Sequence, residues 1–216
     1  LTAKLWDVSS GSSPRTFSGH TAPVCSVAFS PDGTKVLTGS SDSMAKLWNA
    51  SNGSLVGTLR GHAGSASSVA FSPDGTSVLA GSVDNTARLW NASGGSLLRT
   101  FSGHTDYVLS VAFSPQGRKV LTGSVDKTAK LWDTANGSLL RTFSGHTWWV
   151  NSVAFSPDGT KVLTGSWDKT AKLWDASSGS LLRTFSGHTG SVYSVAFSPD
   201  GTKVLTGSGD RTAKLW

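Results

Sequence analysis

Five histidines, His20, His62, His104, His146 and His188, recur at one constant interval, and each is followed at a constant distance by an aspartate: Asp42, Asp84, Asp126, Asp168 and Asp210. With a hydroxyl such as Thr38, Thr122, Thr164 or Thr206, such a pair would have the makings of a hydrolase relay. The carboxylate would orient the imidazole, and the imidazole would polarise the hydroxyl. A nucleophile, however, is needed once and must be exposed, whereas this set recurs in four of the five repeats. Metal binding fails on spacing, because the histidines stand a whole repeat apart and no His/Cys/Asp cluster has ligand spacing, so neither a metal nor a cofactor is expected. The chain has no glutamate. Of its thirteen aspartates, five follow the histidines, four lie in "SPDG" and three follow "LW", leaving only Asp106 off the pattern. A general acid and base need two carboxylates in differing environments, so no enzyme chemistry is read from the chain.

The elements that position these residues follow from the same period. "LW" recurs at Trp6, Trp48, Trp90, Trp132, Trp174 and Trp216, again at the interval that separates the histidines. A period of this length marks one supersecondary unit that buries its apolar face against its neighbours. Within it, "SVAFS", "KVLTG", "AKLW" and "SLLRTF" are short, rich in β-branched and aromatic residues, and separated by turn residues. They read as four antiparallel strands, here a, b, c and d. "SPDG" between a and b presets a turn with Pro and offers Gly where φ is positive. If that turn is the lower end, the b–c turn ("GSWDKT") and the d–a loop ("FSGHT") share the upper end. No stretch has helical periodicity, and the fold class is all-β.

The "GH" and "LWD" signatures of each repeat, with "SPDG" and "GSxD" between them, resemble WD repeats of a highly repetitive type with near-identical repeats, and the resemblance covers the whole chain. It implies a β-propeller of four-stranded antiparallel blades. Five repeats are expected at about 7–48, 49–90, 91–132, 133–174 and 175–216, with residues 1–6 an extra copy of strand c. The resemblance also implies a hydrogen-bonded structural tetrad in each blade. By position the sets are His20, Thr38, Asp42 and Trp48; His104, Thr122, Asp126 and Trp132; His146, Thr164, Asp168 and Trp174; and His188, Thr206, Asp210 and Trp216. The second blade has His62, Asp84 and Trp90, but Ala80 stands where the hydroxyl belongs, so its network is expected to be broken. Because WD propellers mostly have seven blades, the five repeats are expected to belong to a longer array.

Composition narrows the setting. Lysine and arginine outnumber aspartate 19 to 13. Most of the excess repeats with the pattern, as at Lys4, Lys46, Arg88, Lys130, Lys172 and Lys214, and at Arg15, Arg99, Arg141 and Arg183. Such a ring of charge suits a solvated edge better than a nucleic-acid stripe. Cys25 is the only cysteine, so no intrachain disulfide can form. No apolar run would cross a bilayer and no segment reads as a leader, so no membrane is expected and the expected compartment is cytoplasmic.

Sorting the aromatics locates the functional candidates. All nine Phe and six of nine Trp repeat with the pattern, leaving Tyr107, Trp148, Trp149, Trp167 and Tyr193. All five fall in variable columns of the upper end. The resemblance implies contacts three and five residues after each His and one before each Asp. In the third to fifth repeats these are Tyr107, Leu109 and Val125; Trp149, Asn151 and Trp167; and Ser191, Tyr193 and Gly209, rimmed by Lys127, Lys169 and Arg211. Trp148 is counted among the contact residues as well, although its neighbour in the loop is expected to point the other way. An apolar patch rimmed by charge marks an interaction site. The expected function is therefore a non-catalytic recognition or scaffold module that binds a protein or peptide, as the sensing part of a signalling protein does. The alternatives are a nucleic-acid-binding propeller, which would stack bases on the same aromatics, and a self-assembling structural repeat array.

Overall fold

The computed structural model of the protein describes residues 1–11 and 15–216. Strands are the only regular elements among them, and no helix there is long and apolar enough to cross a membrane. The chain opens with β1 (Thr2–Leu5) and β2 (Arg15–Ser18), paired antiparallel. Four full blades follow. The first is β3 (Val24–Phe29), β4 (Lys35–Ser40), β5 (Ala45–Asn49) and β6 (Leu55–Leu59). The second is β7 (Ala66–Phe71), β8 (Ser77–Ser82), β9 (Thr86–Asn91) and β10 (Leu97–Ser102). The third is β11 (Val108–Phe113), β12 (Lys119–Ser124), β13 (Thr128–Asp133) and β14 (Leu139–Ser144). The fourth is β15 (Val150–Phe155), β16 (Lys161–Ser166), β17 (Ala171–Asp175) and β18 (Leu181–Phe185). A fifth blade has three strands, β19 (Val192–Phe197), β20 (Val204–Ser208) and β21 (Ala213–Leu215).

Each blade is a meander in sequence order, as the short turns require. The glycines that end the a–b turns, Gly33, Gly75, Gly159 and Gly201 of "SPDG" and Gly117 of "SPQG", have φ between 69° and 74°. That left-handed conformation is the reason for glycine at these positions. Strand b is buried on both faces, so it reads as an unbroken Val-Leu-Thr-Gly-Ser run rather than an alternation.

The core lies between blades. Leu121 and Ala129 of the third blade pack with Val150, Val153, Val162 and Trp174 of the fourth, and the neighbouring blade pairs repeat the arrangement. The strand-b glycine sets how close the sheets come: a Cβ at Gly123 would stand 2.8 Å from Val153 Cγ1. Strand-a serines add a polar tie. Ser26, Ser68, Ser110 and Ser152 accept from the backbone N–H of Val69, Val111, Val153 and Val195 of the following blade at 3.1–3.2 Å. Arg99 and Arg141, expected to be solvated edge charges, also bridge blades. Their Nε atoms donate to Ala135 O at 2.9 Å and Ser177 O at 2.7 Å.

The sheets do not close into a ring, because β1–β2 and β19–β21 remain separate sheets. Val27 of the first blade is 59% exposed, whereas Val69, Val111, Val153 and Val195 are 7% exposed. At the other end Leu205 is 47% exposed, against 0% for Leu37, Leu79, Leu121 and Leu163. Gly207, unlike Gly123, has no atom of another blade within 4 Å of the Cβ position. Gly123→Ala is therefore expected to cost about 1–3 kcal/mol by overpacking. Gly207→Ala should be neutral, or stabilise by about 0.5–1 kcal/mol through strand propensity. Urea unfolding of the two variants checks this, and equal losses would show the outer face of the fifth blade to be covered in solution.

Candidate functional site

The residues with catalytic character are locked inside the blades. In the third blade His104 Nε2 meets Thr122 Oγ1 at 2.7 Å, Trp132 Nε1 donates to the same hydroxyl at 2.9 Å, and His104 Nδ1 meets Asp126 Oδ2 at 2.7 Å. The first, fourth and fifth blades repeat this chain through His20, Thr38, Asp42 and Trp48, through His146, Thr164, Asp168 and Trp174, and through His188, Thr206, Asp210 and Trp216. Each of these threonines is fully buried. A hydroxyl in that position is shut off from substrate. Paired buried polar groups of this kind hold a structure together.

The aspartate is the staple between the two upper loops. Asp126 Oδ2 takes the imidazole and the Thr105 N–H of the d–a loop, while Oδ1 takes the N–H and hydroxyl of Thr128 beyond the b–c turn. Burial works to raise the Asp126 and Asp168 carboxyls. The hydrogen bonds from His104 and Thr128, and from His146 and Thr170, outweigh it and hold both well below the usual carboxylate range.

In the second blade the bridge between imidazole and indole is broken, and each of the two finds a separate backbone carbonyl. With Ala80 in place of the hydroxyl, Trp90 Nε1 donates to Arg60 O at 3.3 Å and His62 Nε2 faces Ala80 O at 3.3 Å. The His62 and Trp90 rings close to 5.5 Å, against 6.1–6.3 Å in the other blades. Both substitute bonds are long. Burial pushes the His62 imidazole down by more than the Asp84 bond raises it. For Asp84, burial works upward, but bonds from Thr86, His62 and the Ala63 N–H hold its carboxyl at about 2.

The upper end gathers the variable residues by two devices. The first is a hydrogen bond repeated in each blade, from the residue before the aspartate to the residue three after the histidine. It joins Val125 N to Tyr107 O at 2.9 Å, Trp167 N to Trp149 O at 3.0 Å and Gly209 N to Ser191 O at 2.8 Å. The second is a β-bulge. The a–b register shifts across Leu109, Asn151 and Tyr193, and also across Cys25 and Ser67, so the variable position five after each histidine sits on the bulge. A bulge re-aims the side chain it carries.

In the fourth blade these devices build an aromatic ladder. Trp149 and Trp167 lie 4.3 Å apart between ring centroids, Trp148 stacks on Trp149 at 6.3 Å and 28°, and Trp167 meets Tyr193 edge-on at 6.1 Å. Trp148 thus joins the ladder beside its neighbour instead of the two pointing opposite ways, because residues 147–148 form a bend before β15 and strand alternation does not reach them. Asn151 Nδ2 donates to Tyr193 O at 2.9 Å and ties the fourth blade to the fifth. Tyr193 covers Gly209, where a Cβ would stand 3.0 Å from the ring. Tyr107 makes no ring contact among the described residues and stands half exposed, apart from the ladder, while Leu109 and Val125 are half-buried. Trp167 Nε1 has no hydrogen-bond partner, unlike every repeated tryptophan from Trp48 to Trp216.

The residue after each aspartate adopts a left-handed backbone: Ser43, Asn85, Lys127, Lys169 and Arg211, with φ from 67° to 72°. Asn is the side chain that tolerates this conformation best, and a long side chain there costs roughly 1–2 kcal/mol. The Lys127 ammonium lies 5.9 Å from the Trp148 ring centroid. No pattern of types in the sequence announces either the bulges or the positive φ.

Consecutive four-stranded blades, each locked by an internal polar chain and offering its variable loops at one end, define a tandem-repeat array of propeller blades. The family model described as "WD domain, G-beta repeat" matches residues 11–49, 53–91, 95–133, 137–175 and 179–216. The chain belongs to that family, whose repeats generally mediate protein–protein interaction or scaffolding and are typically non-catalytic. Comparison with curated proteins finds no match.

Ala80→Thr is expected to restore the tetrad of the second blade and to stabilise by about 0.5–1.5 kcal/mol, the net worth of a buried hydrogen bond. A neutral or lower melting temperature would count against the tetrad as the lock of the blade. Acid should act in two windows. His62 has its pKa lowered from 6.5, so the unfolded chain binds its proton more readily and stability falls as pH drops below 6.5. The Asp84 contribution is present above 3.8 and is lost as pH falls towards about 2. Melting temperatures measured from pH 7 to pH 2 check both windows.

Proposed function

We propose that the protein is a non-catalytic recognition or scaffold module that binds a protein or peptide on the upper face of its third to fifth blades. The contact residues are Tyr107, Leu109, Val125, Trp148, Trp149, Asn151, Trp167 and Tyr193. The observation that carries this reading is the ladder of Trp148, Trp149, Trp167 and Tyr193, built from positions that vary between otherwise near-identical repeats. A tryptophan that serves the blade repeats with the blade and hydrogen-bonds its indole. These three tryptophans do not repeat, and half of Trp148 is exposed. Trp, Tyr and Arg are also the residue types that most often anchor protein interfaces.

Replacing both Trp149 and Trp167 by Ala removes the ring contacts of the ladder, which join partly exposed rings, and should cost less than the loss of one fully buried tryptophan. Trp132→Ala should cost about 3–5 kcal/mol as a buried aromatic. Partner affinity, by contrast, should fall by about 2 kcal/mol or more in the double variant. Thermal unfolding of the two variants side by side, with a pull-down using the double variant as control, tests the reading. If the double variant unfolds as readily as Trp132→Ala, the pair is core and the face is not a binding surface.

A further inference from the structure

The chemistry of the partner is indicated by the residues that rim the ladder, an argument that rests on the upper-face reading above. At the strained left-handed position the first two blades carry Ser43 and Asn85, both short and polar. The third, fourth and fifth blades carry Lys127, Lys169 and Arg211 there, and these are the blades that carry the aromatics. The fold does not require the cations. All three are exposed, and among the described residues their side chains form no ion pair and no hydrogen bond. The contact of Lys127 with Trp148 places its charge on the ladder itself. Of the carboxylates at this end of these blades, Asp126, Asp168 and Asp210 are committed to their histidines, and Asp106 accepts from the Tyr107 N–H. Three cations are thus held, against backbone preference, around an apolar surface, while the neighbouring carboxylates have their acceptor oxygens taken up by histidine, threonine and backbone donors.

The rings favour a peptide over a nucleic acid. Base stacking needs free ring faces. Trp149 has Trp148 against it on one side and Trp167 at 4.3 Å, while Trp167 meets the edge of Tyr193. The ladder therefore spends much of its ring surface on itself, and it presents Trp148 and Tyr193 as half-exposed apolar walls suited to an aliphatic, proline or aromatic side chain.

We propose that the upper face of the third to fifth blades binds an acidic protein segment, whose carboxylates meet Lys127, Lys169 and Arg211 while an apolar side chain lies against Trp148 and Tyr193. Recognition of this kind is salt-sensitive, because the charges lie at an exposed rim.

The test is selection from a displayed library of random dodecapeptides against the parent chain, followed by titration of an enriched peptide. Three further arms are the triple variant Lys127→Asn/Lys169→Asn/Arg211→Asn, the pair Trp149→Ala/Trp167→Ala, and a twelve-residue oligothymidylate. Enriched peptides should carry several Asp or Glu around an apolar residue. The triple variant should bind them about tenfold more weakly or worse, with a flatter salt dependence. It should melt no lower than the parent, because Asn suits the left-handed backbone. Enriched peptides that need the tryptophan pair but are neutral or basic, or that bind the triple variant unchanged, would overturn the acidic segment and leave the upper-face reading standing. Oligothymidylate binding more tightly than any peptide, or a triple variant that melts well below the parent, would overturn it as well. No enrichment, or enrichment indifferent to the tryptophan pair, would overturn the upper-face reading and this proposal with it.

Discussion

The aspartate carboxylate that holds the imidazole is the contact on which the rest of each blade depends. One oxygen takes the histidine and an N–H of the d–a loop, and the other takes the residue that follows the b–c turn. The loop that enters the sheet at its edge strand and the turn between its two central strands are tied together by a single residue. The same imidazole reaches inward to the strand-b hydroxyl and through it to the indole, so the upper end is coupled to the core. An arrangement that resembles hydrolase machinery is thereby used for rigidity, since its hydroxyl is occupied on both sides and sealed from solvent.

Rigidity between blades has a different source. Strand-b glycines let the valines of the next blade come closer than any side chain would allow, and strand-a serines take up the backbone N–H groups that face them. Arginines of strand d reach across to turn carbonyls. Every one of these ties runs from one blade to the next. The array therefore gains stability by repetition, as linear repeat proteins do, and its terminal faces keep the unsatisfied halves of the same interface.

This division leaves the upper end free to vary. The backbone there is fixed from below by the aspartate staple, by the bulge and by the hydrogen bond between the two loops, none of which needs a particular side chain at the variable positions. Large aromatics can then be placed on it without disturbing the sheet, and so can long cations, at the cost of a left-handed backbone.

How much of this was legible in the sequence depends on range. The four-stranded repeat, the turn glycines and the separation of repeated from variable aromatics could all be read, because each rests on local periodicity or on copies compared with one another, whereas the tetrad partners came from the resemblance to WD repeats. Even the joining of two loops at one end followed from counting strands in a meander. What the sequence did not carry is geometry settled by contacts between segments. The replacement of the missing Ala80 hydroxyl by the Arg60 carbonyl depends on which acceptor the Trp90 ring can reach once the sheet has formed. The turn of Trp148 onto Trp149 depends on a bend that breaks alternation, and the bulges at Leu109, Asn151 and Tyr193 depend on pairing with strand b. The separation of Tyr107 from the ladder, and the bridging role of Arg99 and Arg141, were likewise decided only by how far one blade stands from the next. A repeat pattern specifies what each blade is made of. The spacing and angle between blades come from tertiary packing, and that packing decided which upper-face side chains touch.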